Sequence, residues 1–336
     1  MKETKLRILI IIGLFLLSCG DEESVYEPEE LPIGVVTITL NDESRQKEIT
    51  TEIWYPAVAD PEANAEIYEG VIQGIAVREA EPESKYAPYP LLVFSHGLGG
   101  FRNQSVYLTE SLASRGFVVI APDHSDALKG LDVEDLELIL NYLADRPPDI
   151  SFLIDEVLAR SVGNDVILKG LVDESRIGMM GHSLGGYTSV VVAGANSDYE
   201  DQRVIAAVPL APFSLIFTPE KIGQIDIPMM VIGGTKDTTC PFETDQRPLY
   251  QALSPPKYLL EIFEAGHMVF SDAACITMPD LTECQWAEEI QGIVVSYTTA
   301  FFCCYLKGKD SFLNELQEKT TDDYELSTEQ ELDLKG

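Results

Sequence analysis

Arg176-Ile177-Gly178-Met179-Met180-Gly181-His182-Ser183-Leu184-Gly185-Gly186-Tyr187-Thr188-Ser189-Val190-Val191-Val192-Ala193-Gly194 is the stretch from which the rest of the chain can be read. Residues 176–180 are a short apolar run of buried-strand type. Residues 181–185 spell Gly-X-Ser-X-Gly. Residues 186–194 read as a helix with small residues on one face. Strand, sharp turn and helix in that order is the setting in which a serine is held in strained backbone geometry, its hydroxyl lifted clear of the sheet. The flanking glycines let strand and helix come close without a Cβ clash. Ser183 is therefore the candidate nucleophile, and the other segments can be tested as its scaffold.

Outward from this turn, strands and helices alternate. Upstream, Pro90-Leu91-Leu92-Val93-Phe94-Ser95 is a buried strand by length and apolarity. The loop His96-Gly97-Leu98-Gly99-Gly100 follows, then a helix over about 103–114 and a strand over 117–121. Residues 125–148 read as an insertion, partly helical and ending in Pro147-Pro148, before a long helix over about 149–169. Downstream, 204–208, 228–234 and 257–263 are strands, with helices near 244–253 and over 284–306. Near the start, 35–40 and 48–55 are β-rich runs joined by a polar turn, which predicts an antiparallel hairpin at a sheet edge. Residues 57–88 hold no sustained period and read as an insertion over one rim. The pattern is α/β, with a mainly parallel central sheet and helices on both faces, forming one domain over 33–310. Residues 311–336 are expected to form an acidic tail, mobile or loosely helical.

A serine hydroxyl needs a base to attack a carbonyl, and imidazole is the usual one. The chain has 4 histidines, so the choice can be made by elimination. His182 lies inside the turn and points away from the hydroxyl. His96 and His124 precede the nucleophile in sequence. His267, in Ala265-Gly266-His267-Met268, lies just past the last strand and fits the order nucleophile, acid, histidine. The acid should leave a strand between the two. Asp237, in Gly233-Gly234-Thr235-Lys236-Asp237, does so, and its role would be to fix the imidazole tautomer. Asp245 and Asp272 are the fallbacks. An oxyanion hole needs backbone N–H groups aimed at developing charge. Leu184, next after the serine, and Leu98, in the loop after the first parallel strand, are the expected donors, with His96 bracing that loop. Asp123-His124-Ser125-Asp126 has the residue types of a metal site, but two acids and one histidine on one loop point rather to a loop lining the pocket entrance. No metal or other cofactor is called for.

Together these motifs resemble the α/β-hydrolase superfamily, in the group that holds platelet-activating-factor acetylhydrolases, dienelactone hydrolase-like proteins and bacterial cutinase-like polyester hydrolases. Phe94-Ser95-His96-Gly97-Leu98-Gly99-Gly100-Phe101-Arg102 is similar to the acetylhydrolase oxyanion loop, and Glu52-Ile53-Trp54-Tyr55-Pro56 to that group's early strand. Gly181-His182-Ser183-Leu184-Gly185-Gly186 is shared by all three types. The resemblance covers roughly 33–310 and implies hydrolysis of short-chain acyl esters through a Ser-His-Asp triad and an acyl-enzyme. Two departures qualify it. Pro209-Leu210-Ala211-Pro212-Phe213 has no acid where the acetylhydrolases carry theirs, whereas Asp237 stands where cutinase-like enzymes do. Dienelactone hydrolases use cysteine where this chain has Ser183. Some polyester hydrolases join their acid and histidine loops by a disulfide. The likeness implies a Cys240–Cys275 bridge, with pairings of Cys284 to Cys275, Cys303 or Cys304 left open.

The 336 residues carry 56 acidic and 23 basic side chains, a net charge of −33. Such a surface argues against nucleic acid, which needs Lys and Arg to replace counterions. Lys2, Lys5 and Arg7 precede an apolar stretch, Ile8–Leu17, that is too short to span a bilayer and fits a secretory leader over 1–18. Leu16-Leu17-Ser18-Cys19 resembles a bacterial lipobox. That resemblance implies acylation of Cys19 and a place on the cell envelope, with residues 19–32 as an acidic tether. The competing expectation is a non-catalytic surface lipoprotein that binds glycan or protein on the same scaffold.

Overall fold

The computed structural model describes residues 30–129, 135–272, 274 and 281–330, without the side chains of 281–284. Its strands are β1 (Ile33–Asp42), β2 (Lys47–Pro56), β3 (Ala65–Tyr68), β4 (Ile72–Arg78), β5 (Tyr89–Ser95), β6 (Val118–Pro122), β7 (Val172–His182), β8 (Val204–Leu210), β9 (Met229–Gly234), β10 (Lys257–Ile262), β11 (Lys319–Thr320) and β12 (Tyr324–Glu329). They form one sheet in the order β11-β12-β10-β9-β8-β7-β5-β6-β2-β1-β4-β3. The run from β10 to β6 is parallel throughout. The hairpin β1–β2 joins it antiparallel through β6. The chain runs from β5 to β6 on one side, then returns to lay β7 on the other. Loops leaving the carboxyl ends of β5 and β7 therefore face each other at the point where strand order reverses, which is where such sheets place their sites.

Period-two alternation splits each central strand between two cores. Leu92 and Phe94, Met180, Val208, and Met230 and Ile232 face the side covered by α1 (Val106–Ser114) and α6 (Leu281–Lys307). Leu91 and Val93, Ile177 and Met179, Ala207, and Met229 and Val231 face the side covered by α2 (Leu136–Val162), α3 (Leu184–Val190) and α5 (Gln246–Ala252). A short α4 (Pro219–Ile222) lies beside α5. Because both faces are buried, the strands read as continuous apolar runs. Each fully buried Leu, Ile, Val or Met side chain stabilises the fold by roughly 1.5–3 kcal/mol.

Three expectations need correction. The segment 57–88 contains the hairpin β3–β4, which extends the sheet through a parallel pairing of β4 with β1. Pro147-Pro148 do not end an insertion: α2 begins at the Asp135 cap, whose Oδ1 accepts the Leu138 N–H at 3.0 Å, and runs through both prolines. Prolines inside a helix leave carbonyls one turn back without donors. Burial of Ile150, Leu153, Ile154 and Val157 against the sheet offsets that loss. Residues 319–329 are not a loose tail. β12 pairs antiparallel with β10 and buries Leu326, and Tyr297 Oη donates to Tyr324 Oη at 3.0 Å. Acidic residues alternating with these two apolar ones hid the strand within a polar composition.

Candidate active site

Ser183 sits at φ 56° and ψ −114°, between the end of β7 and the first residue of α3. Its N–H donates to Leu210 O at 2.9 Å, and its carbonyl accepts the Phe213 N–H at 3.1 Å, so β8 and its following loop grip the strained turn. The glycines around it are a steric necessity. A Cβ on Gly185 would lie 1.8 Å from Ser95 O, and one on Gly181 would lie 2.4 Å from Gly185 O.

Strand register carries the other groups to this turn. Ser95 pairs with Gly181, so residues 96–98 emerge beside Ser183. Gly234 pairs with Ile262, so Asp237 and His267 leave neighbouring strand ends. The Asp237 Oδ2 lies 2.6 Å from His267 Nδ1. Its Oδ1 accepts the N–H groups of Thr239 and Cys240 at 2.8 and 2.9 Å, which fixes the carboxylate's orientation. A carboxylate accepts, so His267 Nδ1 is the donor, and in the neutral ring that tautomer leaves the lone pair on Nε2. Among the described residues no hydrogen bond joins Ser183 Oγ to His267. Catalytic contacts of this kind commonly close only when substrate binds. The Cys240 thiol, in the loop that follows Asp237, is pushed up to about 12 by burial, then by the charges of Asp245 and Asp237.

His182 braces rather than reacts. Its Nε2 donates to His267 O at 3.0 Å and its Nδ1 accepts from Gln104 Nε2 at 2.9 Å. Burial, then the neighbouring His267, holds it well below the ordinary imidazole range, so it stays neutral. Gln104 turns its Oε1 to the Gly97 N–H at 2.8 Å. Three consecutive amides of the loop after β5 are thereby distinguished. Gly97 N–H goes to Gln104, Gly99 N–H goes to Asp126 Oδ2 at 2.8 Å, and Leu98 N–H between them has no partner among the described residues. Leu184 opens α3, where a helix leaves its first N–H groups unsatisfied. Both amides expected to receive an oxyanion are thus uncommitted.

In the loop 123–126, expected at a pocket entrance, two of the four side chains turn inward. His124 and Asp126 are buried, and the His124 Nδ1 donates to Asp149 at 2.8 Å while its Nε2 accepts from Ser95 Oγ at 2.9 Å. His96 accepts the His124 N–H on Nε2 and donates from Nδ1 to Gly97 O, bracing the loop as expected. Asp245 spends its Oδ1 on the N–H groups of Ser214 and Leu215. Asp272 reaches the start of α1, where its Oδ2 accepts the Tyr107 N–H at 3.3 Å. No group of three or more His, Cys, Asp or Glu could hold a metal ion among the described residues. Cys240 is a free thiol, Cys275 lies outside the described residues, and so does Cys19. Sequence reasoning missed Gln104 and Arg146. Gln104 precedes α1 with no local signal, and Arg146 was hidden beside Pro147-Pro148.

A mainly parallel sheet clothed by helices on both faces, with a serine at positive φ on a strand-to-helix turn, defines an α/β-hydrolase. Within that class, the chain belongs to the PETase (PET hydrolase-like) family, whose profile matches residues 90–287. It is 30% identical to Cutinase 1 of Thermobifida cellulosilytica over 183 residues, 53% of this chain and 60% of that protein. It is 27% identical to the Bis(hydroxyethyl) terephthalate hydrolase of Streptomyces coelicolor over 180 residues, 52% of this chain and 49% of that protein. The matched region thus spans 49–60% of these relatives' lengths. A ferulic acid esterase from Streptomyces cinnamoneus superposes with a TM-score of 0.65 at 27% identity, covering 83% of this chain and 91% of the other.

Proposed function

We propose that the protein hydrolyses carboxylic esters by nucleophilic catalysis. Ser183 Oγ attacks the acyl carbon while His267 Nε2 takes its proton. The developing oxyanion is held by the amides of Leu98 and Leu184. Collapse expels the alcohol, protonated by His267, and leaves an acyl-enzyme on Ser183. Water, deprotonated by the same imidazole, releases the acid and restores the serine. Asp237 holds the tautomer that this cycle needs and stabilises the imidazolium as it forms. The observation that carries the reading is the 2.6 Å Asp237–His267 pair at strand ends next to the Ser183 turn. The similar proteins, a cutinase, a bis(hydroxyethyl) terephthalate hydrolase and a ferulic acid esterase, support ester substrates. Leu98, Phe213 and the stacked rings of Tyr187 and Phe217, 5.4 Å apart, pack around Leu184 and favour an apolar or aromatic acyl group.

The test is a fluorophosphonate probe with an ester panel: short-chain nitrophenyl esters, short sn-2 acyl phospholipids, long-chain triglycerides and an aromatic polyester. Wild-type protein is expected to be labelled at Ser183 and to cleave at least one ester. Ser183→Ala should lose labelling and retain only the residual rate of the oxyanion hole and binding. Full activity in that variant sinks the assignment.

We further propose that the chain is anchored to the cell envelope through acylated Cys19. Residues 1–29 lie outside the described residues. None of the described helices is long and apolar enough to cross a membrane. Cys19→Ala should move the protein from the membrane fraction to the soluble fraction, and unchanged fractionation counts against lipidation.

A further inference from the structure

Behind the loop that carries Leu98 lies a fully buried ion pair. Arg146, from the middle of α2, and Asp126, from the loop after β6, both have side chains at 0% exposure. The guanidinium donates to Asp126 Oδ1 from Nε at 3.2 Å and to Oδ2 from one terminal nitrogen at 2.6 Å. That same nitrogen donates to Gly97 O at 3.0 Å, and the other donates to His96 O at 2.5 Å. Asp126 Oδ2 in turn accepts the Gly99 N–H at 2.8 Å. The pair therefore grips two carbonyls before Leu98 and one N–H after it. It fixes both peptide planes that flank the uncommitted amide.

Energetic reasoning says why such a pair should be here. Taking two charges out of water is not repaid by their attraction alone, and well-packed apolar residues of similar volume are often at least as stable. A buried pair used up on the backbone of one loop is thus poorly explained by stability. It is well explained by the orientation it imposes. Gly97 abuts the turn, since a Cβ placed on it would lie 3.6 Å from Ser183 Cβ. The amide one residue on is the expected oxyanion donor, and preorganised donors act only if their direction is fixed before the reaction.

We propose that Arg146 and Asp126 are positioning residues for the oxyanion hole: they act through the Leu98 peptide and touch no substrate. Only a planar fork reaches two carbonyls and both carboxylate oxygens at once, so lysine cannot substitute. This inference rests on the ester-hydrolase reading above.

The experiment measures kcat and KM on a nitrophenyl ester, normalised to active sites titrated with a fluorophosphonate, for wild type, Arg146→Lys, Asp126→Asn and the apolar pair Asp126→Leu/Arg146→Met. Misdirecting one oxyanion donor is expected to lower kcat per titrated site on the order of 100-fold, with KM changed by less than about threefold. Affinity for a trifluoromethyl ketone that mimics the tetrahedral adduct should fall in parallel with kcat/KM. A merely structural role would lower the number of titratable sites and leave the turnover of each intact; that outcome overturns the proposal. The apolar pair keeps the test decisive if the single variants do not fold, because it leaves no unpaired buried charge. Wild-type turnover per site in that double variant overturns the proposal as well. Wild-type protein that is neither labelled nor active points instead to failure of the ester-hydrolase reading.

Discussion

His182 Nε2 donates to the main-chain carbonyl of His267 at 3.0 Å, and the two rings lie 4.6 Å apart. The variable residue of the Gly-X-Ser-X-Gly turn thus holds the loop of the candidate base. Through Gln104 it also ties that loop to the loop of the candidate oxyanion donor. Replacing His182 by Phe keeps a ring but strands Gln104 Nε2 and His267 O without their partner. Each buried polar group left unsatisfied costs about 1–3 kcal/mol. His182→Phe should lower the urea midpoint and reduce kcat more than it raises KM. Unchanged stability and kcat would show the brace to be idle.

The two aspartates near the site can be told apart. Asp237→Asn keeps the size but presents the wrong hydrogen-bonding group to His267 Nδ1, and should lower kcat about 10³–10⁴-fold. Asp245→Asn loosens the N–H groups of Ser214 and Leu215. Its effect should fall on stability and KM, with kcat within about tenfold of wild type. Steady-state kinetics on one ester settles the assignment, and the reverse ranking would make Asp245 the acid.

Gly185 admits no side chain. The Cβ of Gly185→Ala would meet Ser95 O at 1.8 Å and Ser95 C at 2.4 Å, both main-chain atoms of β5. Relief requires parting the turn from its neighbouring strand, at a cost above about 4 kcal/mol. The variant should be poorly soluble and unlabelled by fluorophosphonate. A soluble variant labelled like wild type contradicts the packing of the turn against β5.

Stability should depend on pH in two opposed ways. Burial keeps His96, His124 and His182 neutral below their ordinary value of 6.5. The unfolded chain takes up protons that the folded one refuses, so stability present above 6.5 is lost as pH falls, by up to about 1.4 kcal/mol per unit for each histidine. Asp272 acts the other way. Burial raises it to about 7, so the stability its protonated form contributes is lost as pH rises through that value. Urea unfolding from pH 5 to 8 should show a net decline toward acid. Asp272→Asn should steepen that decline and raise stability at pH 8; a flatter profile in this variant would contradict the assignment.

The Cys240 thiol, pushed up to about 12, should resist iodoacetamide in the folded protein at pH 8. In denaturant without reductant it should alkylate, as a free thiol does. A peptide map in which Cys240 reacts only after reduction would restore the bridge to Cys275.

The division between what could be read and what could not follows the range of the interactions. The positions of the central strands, the turn at Ser183, and the nomination of Asp237 and His267 were legible because each is written locally: an apolar run, a glycine pattern, a residue just past a strand end. Parallel pairing then brings like ends together, so Ser95 must lie beside Gly181. The strand at 324–329 was not legible, since it buries only Tyr324 and Leu326, on one face, and its acidic composition outweighs them. Nor was the brace of Arg146 and Asp126, which are 20 residues apart and meet behind a third segment. No local pattern marks a side chain whose partners are the carbonyls of a distant loop. Sequence alone therefore determined the fold class and nominated the reacting groups. Tertiary structure decided which amides stay uncommitted, because that depends on where every other donor and acceptor ends.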